Sequence, residues 1–395
     1  MNRYSNFIPF HRPSLGHEEL AAVREVLESG WITTGPATLK FESEFSRYVG
    51  SQHAIALNSG TAALQLAADL IGLQPGDEVL VPTFTFTATA EIVTYFGARP
   101  VLCDSLPGGF NIDIADANRR ITSKTKAIIP VHFAGEPCDL DAIHATASQN
   151  GLHIIEDAAH ALPATYRGKR IGAYSALTAF SFYATKNVTT GEGGMLVTDR
   201  DDYAEKARCM RMHGISSAAW KRYAREGSWF YEVLYAGFKL NLPDILSAIG
   251  LAQLQKSDQF LRRRQEIAER YAACFSKIEE LELPPAAGPG CEHSWHLFVL
   301  RLRSGALQIG RNDFIGELKK LGVGTAVHFI PLHLHPYYAQ TYGYTRGDFP
   351  HAEDAFARCF SLPLYPALSD EQVEVVMRTV ESVVSTYRRT LISAA

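Results

Sequence analysis

Several features that mark whole classes of protein are scarce in this chain of 395 residues. Its six cysteines stand at 103, 138, 209, 274, 291 and 359, and no two form a C-x-x-C pair. That spacing builds neither a zinc site nor a disulfide framework, which leaves reduced thiols of the core and surface. Neither sign of charge dominates: 38 Lys and Arg face 42 Asp and Glu, a net charge of −4. There is therefore no electrostatic case for binding nucleic acid or an anionic membrane. The apolar stretch Ala62 to Leu73 is interrupted by Gln65 and Asp69, and no run is long enough to cross a bilayer. The first residues, MNRYSNFIPFHRP, lack the apolar core of a signal peptide, so a cytoplasmic location is expected. No G-x-G-x-x-G turn occurs, which argues against a nicotinamide oxidoreductase. Internal repeats and low-complexity segments are missing too.

What is present is an ordinary globular composition, 46% hydrophobic and 20% charged, on a chain longer than one usual domain. Short apolar or β-branched runs at 53–57, 78–82, 99–103, 126–133, 152–157, 177–182 and 193–198 read as strands. Several lack alternation, as expected of strands covered on both faces. Amphipathic segments at 61–72, 86–96 and 138–150 fit between them as crossover helices. This is an α/β pattern with a mainly parallel sheet and helices on both faces. Only about ten residues separate 177–182 from 193–198, too few for a helical crossover, so the last strand is expected to run antiparallel. Beyond about residue 245 come a long helical pattern, a turn-rich connector at 283–293, a strand in HLFVLRL, a helix ending near Gly322 and a strand in VGTAVHF. A final helix begins with Ser369 as its N-cap. Two domains follow: a large α/β domain over 1–250 and a smaller α+β domain over 251–395.

Three stretches carry chemistry. In ALNSGTAALQLAADL, Ser59, Gly60 and Thr61 lie between a strand and a helix start. Free N–H groups there can hold an anion such as phosphate, although simple N-capping by Ser59 or Thr61 explains the same residues. In HIIEDAAHALPA, a buried strand runs into Glu156 and Asp157, at the edge where α/β sheets bind ligands. Asp157 as a helix cap is the plainer alternative. In SFYATKN, Lys186 follows a strand end, where desolvation can release a proton and make the amine a nucleophile. An exposed lysine before a glycine turn is the other reading. Together, an anion cradle, a carboxylate and a lysine at strand ends are what pyridoxal phosphate requires: a seat for the phosphate, a partner for the pyridine nitrogen and a Schiff-base amine.

These stretches, with ESGWITTGPATLKFESEF, YAGFKLNLPDILSAIGLAQL, HSWHLFVLRL and VGTAVHFIPLHLHPYY, resemble the DegT/DnrJ/StrS family of nucleotide-sugar aminotransferases in wording and order, over nearly the whole chain. The resemblance implies fold type I, with a mainly parallel seven-stranded sheet. It implies that Lys186 binds pyridoxal phosphate covalently and shuttles the proton, and that Asp157 pairs with the pyridine nitrogen. His160, where many members carry Gln, is placed by the ring oxygen. Gly60, Thr61 and Ser181 are placed at the phosphate, with Ala62 beside them, and Phe86 is placed as the stacking aromatic. Asn241 is implied to reach the phosphate of a neighbouring subunit, which makes a homodimer with shared sites the expected unit. Members with histidine at the lysine position dehydrate their sugar; lysine here favours amino transfer.

The implied reaction takes an amino group from L-glutamate, leaves pyridoxamine phosphate, and delivers the amine to a nucleotide-linked keto sugar in a ping-pong cycle. WKRYAREGSW with GFKLNLPD leans toward C-4 of a UDP- or dTDP-4-keto-6-deoxy or pentose sugar. A C-3 keto sugar or a cyclitol ketone is the alternative, and a non-catalytic regulatory protein on the same fold is the rival from another class. Lys221, Arg222 and Tyr223 are candidate diphosphate contacts, against a plain surface loop. His328, His333 and His335 suggest zinc, but no carboxylate or thiol has suitable spacing, and no metal is expected. The resemblance puts His328 beside the substrate instead.

Overall fold

The computed structural model describes residues 7–216 and 230–389. The apolar runs at the front of the chain form β1 (His53–Leu57), β2 (Glu78–Pro82), β3 (Arg99–Cys103), β4 (Thr125–Ile128) and β5 (His153–Asp157). A two-stranded ribbon, β6 (Thr165–Tyr166) and β7 (Lys169–Arg170), precedes β8 (Leu177–Ser181) and β9 (Gly194–Thr198). Seven of these make one sheet in the order β1-β9-β8-β5-β4-β2-β3. The pairs β2–β3, β2–β4, β4–β5 and β5–β8 are parallel, and β9 runs antiparallel to both β8 and β1. The continuous apolar strands are thus the ones covered on two faces, by separate clusters built around Ile55, Val79 and Ile155 and around Ala54, Leu80 and Phe180. The crossover helices are Gly60–Leu70, Ala88–Thr94 and Leu140–Asn150, close to the spans expected.

Three features differ from the sequence reading. The run 126–133 is a ladder strand only as far as Ile128. Pro130 has no N–H to give the ladder, although its carbonyl still accepts from Asp157 N at 2.9 Å. The long helical pattern after 245 divides into Asp244–Gln255 and Ser257–Phe275. The first half packs on the helices His17–Ser29 and Pro36–Val49, the second on Asp370–Tyr387, and the chain changes direction at Lys256 to serve both. VGTAVHF forms no ladder strand. Val323 and Ala326 make single bridges, to Ile8 and Ser361. Gly324 lies against the backbone of the incoming chain, where a Cβ would stand 2.9 Å from Phe10 N.

The C-terminal part adds an antiparallel sheet, β10 (Leu281–Glu282), β11 (Phe298–Leu302) and β12 (Cys359–Leu362). One cluster packs Phe298, Leu300, Phe360 and Leu362 beneath the last helix. Ser369 caps that helix as expected, accepting from Gln372 N at 3.2 Å. Leu297 and Val299 instead join the main cluster. The residues flanking β11 are thereby brought to the edge of the large sheet.

Candidate active site

Because β1, β2, β5 and β8 point the same way, the segments leaving their C-terminal ends meet at one edge of the sheet. There they line a cavity of about 620 Å³. Gly60, Thr61, Phe86, Asp157, His160, Ser181, Lys186 and His328 all line it.

The anion cradle is built at the start of Gly60–Leu70. Ser59 caps the helix, its Oγ accepting from Ala62 N at 3.0 Å, and its carbonyl accepts from Ala63 N. The N–H groups of Gly60 and Thr61, which no helical turn can satisfy, are left for a ligand. Capping and anion binding are thus complementary. Glycine is required at 60, because a Cβ there would stand 2.8 Å from Ser181 Cβ; that closeness brings the Ser181 hydroxyl beside the helix start. Gly194 opens β9 for the same reason, since a Cβ would fall 2.2 Å from Ser59 O. Ala62 lies outside the cavity lining, with its N–H already taken by Ser59.

Asp157 ends β5 as a buried side chain. Thr89 Oγ1 donates to its Oδ2 at 2.8 Å and Ala159 N to its Oδ1 at 3.1 Å. Burial pushes this carboxyl above its usual range, against the pull of Thr89, Ala159, Lys186 and His132. Lys186 follows a turn closed by its own N–H on Tyr183 O at 2.9 Å. It is half-buried and lines the cavity, and burial lowers its amine from 10.5 to about 8, opposed by the charge of Asp157. Phe86 is 58% exposed despite its apolar ring, which offers a flat face at the cavity wall.

His328 and His160 are both held neutral, chiefly by burial and then by the lysine charge; His328 is lowered to about 4 and His160 well below its ordinary value. His333 is engaged with Thr83 and Glu353, and His328 with Ser361. Among the described residues no group of three or more His, Cys, Asp or Glu could hold a metal ion.

Asn241 does not line this cavity. It bridges Leu57 on β1, beside the cradle, and donates to Thr34 Oγ1 at 2.7 Å. Lys221, Arg222 and Tyr223 lie outside the described residues. Four other contributors are not legible from local sequence. Thr89 is one polar residue in a threonine-rich helix start, whereas His296, Phe329 and Phe10 arrive from distant parts of the chain.

The residues fit pyridoxal phosphate: two free helix-start amides with a serine hydroxyl, a buried carboxylate, an exposed ring face and an amine of lowered basicity surround one cavity. The fold and this residue set define a pyridoxal-phosphate-dependent enzyme of fold type I. More narrowly, the chain belongs to the DegT/DnrJ/EryC1/StrS aminotransferase family, whose model matches residues 13–381, and it is a sugar aminotransferase. SpsC of Bacillus subtilis, a spore coat polysaccharide biosynthesis protein, is 46% identical over 97% of this chain and 99% of its own. Among solved structures, Spr1654 of Streptococcus pneumoniae, described as a sugar aminotransferase, matches in its PLP-form with a TM-score of 0.90 and 34% identity, covering 96% of this chain and 99% of that one. PseC of Helicobacter pylori, an aminotransferase involved in the biosynthesis of pseudoaminic acid, matches with a TM-score of 0.89 and 27% identity over 97% and 100% of the two chains.

Proposed function

We propose that the chain moves an amino group from L-glutamate to a keto sugar carried on a nucleotide diphosphate, in the cytoplasm, with C-4 of a UDP- or dTDP-4-keto sugar as the acceptor carbon. One observation carries this reading: an amine of lowered basicity, Lys186, shares one cavity with the buried acid Asp157 and a helix start whose amides are free. When bound, pyridoxal phosphate supplies an aldehyde that condenses with amines and a ring that accepts the electron pair released at the amine-bearing carbon. Gly60, Thr61 and Ser181 would hold its phosphate, Asp157 would pair with its ring nitrogen, Phe86 would stack on the ring and His160 would lie by its ring oxygen. In each half-reaction Lys186 Nζ would carry the proton between the amine-bearing carbon of the substrate and C4′ of the cofactor.

The test uses the holoprotein. L-Glutamate alone should yield 2-oxoglutarate in an amount set by the bound cofactor. No 2-oxoglutarate would overturn the donor assignment. The reverse reaction, 2-oxoglutarate with amino sugars on UDP, dTDP and GDP, identifies the acceptor. Turnover confined to 3-amino sugars or aminocyclitols would refute the C-4 assignment.

We further propose a homodimer in which Asn241 reaches the neighbouring subunit's phosphate site. Its place beside the cradle but outside its own cavity supports this. Asn241→Ala should weaken cofactor affinity about tenfold, the worth of one hydrogen bond to a charged group. A protein that sediments as a monomer while fully active would end the proposal.

A further inference from the structure

The cavity wall behind Lys186 contains an imidazole, His296, whose protonation is dictated by its neighbours. Asn187, next to the lysine, is buried. Its Nδ2 donates to Leu162 O and Ser294 O, both at 2.9 Å. Both acceptors are carbonyls, so the amide cannot be reversed without setting oxygen against oxygen. Its Oδ1 therefore faces His296 Nδ1 at 3.2 Å. An amide oxygen only accepts, so Nδ1 must carry the proton. The ring is neutral, chiefly through burial, with the positive charges of Lys186 and Arg264 acting in the same direction. Nε2 is consequently a bare lone pair.

The adjacent ring is its complement. His160 Nδ1 accepts from Ala134 N at 3.2 Å, which leaves the proton on Nε2. The two rings lie 4.3 Å apart, and both line the cavity with Lys186. One wall thus offers a donor and an acceptor side by side.

The backbone that holds His296 is unusually constrained. Trp295 sits at φ 50°, a left-handed conformation that a bulky residue adopts only under constraint. Arg264, buried and without a carboxylate partner among the described residues, donates through one nitrogen to Trp295 O at 3.1 Å, His296 O at 3.4 Å and Leu364 O at 2.7 Å. A buried guanidinium is thereby committed to fixing this turn.

Of the two acids that line the cavity, Asp157 and Glu192, Asp157 is already engaged, accepting from Thr89 and Ala159. We propose that His296 is a positioning residue for Lys186. Locked by Asn187 in the Nδ1–H tautomer, it presents Nε2 as the acceptor for an N–H of the lysine amine. Besides Asp157, the ionisable groups around that amine are His11, His160, His296 and His328, which feel its charge as neutral rings. This inference rests on Lys186 being the reacting amine, but its tests read the cofactor-free protein, so the two can fail separately.

In apo wild type labelled with ¹⁵N-histidine, the His296 signal, assigned through His296→Gln, should show a protonated Nδ1 and a bare Nε2. A protonated Nε2 would overturn the proposal. The second measurement is the pH profile for acylation of Lys186, read by peptide mass. An acceptor stabilises the ammonium more than the neutral amine. His296→Leu should therefore move the midpoint down by about one unit, a tenfold loss of proton affinity. His296→Gln, whose side-chain oxygen can stand near the Nε2 position, should restore most of that shift. A purely structural role would leave the midpoint in place, so a His296→Leu variant that melts like wild type with an unmoved profile refutes the idea. Should the leucine variant fail to fold, the wild-type tautomer measurement still decides.

Discussion

Lys186→Ala is expected to reduce amino transfer by about 10,000-fold or more, since it removes at one stroke the group proposed as both covalent anchor and proton carrier. The side chain borders a cavity, so its truncation should leave the melting temperature near that of wild type. Lys186→Arg should be equally inactive. A guanidinium keeps the positive charge but does not deprotonate near neutral pH, which separates loss of the nucleophile from loss of charge. The wild-type amine also predicts a pH dependence. Only the neutral amine attacks an aldehyde, and burial favours the neutral form. Capture of pyridoxal phosphate by the apo-protein should therefore rise with pH through about 8 and level off above it. Stopped-flow absorbance across pH 6 to 10 measures this. A rate that kept climbing toward 10.5, the value of an ordinary lysine, would mean that the amine is solvated, and normal turnover in Lys186→Ala would remove it from the chemistry altogether.

The reach of sequence reasoning follows the range of the interactions involved. All seven strands of the large sheet are legible because each is a local apolar run, and the antiparallel β9 follows from a connection too short for a helix. The anion cradle is legible because a cap and a helix start lie within four residues, Ser59 to Ala62. Other features depend on meetings the sequence does not encode locally. Thr89 matters because its hydroxyl meets Asp157, 68 residues away. His296 matters because Asn187, 109 residues away, sets its tautomer. The helix break at Lys256 escapes periodicity analysis because Asp244–Gln255 is apolar around most of its surface and runs directly into the amphipathic Ser257–Phe275. It shows only in the two different sets of helices that they cover and in the ion pair of Lys256 with Glu19. VGTAVHF reads as a strand because its β-branched residues are right for one, yet its backbone bonds are shared between Ile8 on one side and Ser361 on the other.

Asp157→Asn is the second large effect, expected to lower kcat by about 100- to 1,000-fold, the range found when one preorganised electrostatic group is removed from an active site. The substitution keeps the shape and the hydrogen-bonding capacity toward Thr89 but removes the charge. In the free protein, burial raises the Asp157 carboxyl, which is the signature of a buried acid lacking a full counter-charge. A cation placed against it reverses that tendency and favours the carboxylate. By linkage the carboxylate in turn holds the proton on a pyridine nitrogen beside it. Asparagine cannot supply that charge, so the ring nitrogen should lose its proton and with it the capacity to take up electrons. The phosphate contacts proposed for Gly60, Thr61 and Ser181 are untouched, so cofactor content should stay near wild type while kcat falls. Thr89→Val provides the graded comparison. It removes one hydrogen bond to the carboxylate and leaves the charge, and should cost about tenfold at most. If Asp157→Asn lost cofactor and activity in parallel, the side chain would be a binding group only. If its kcat matched wild type, the carboxylate would have no part in setting the electronics of the ring.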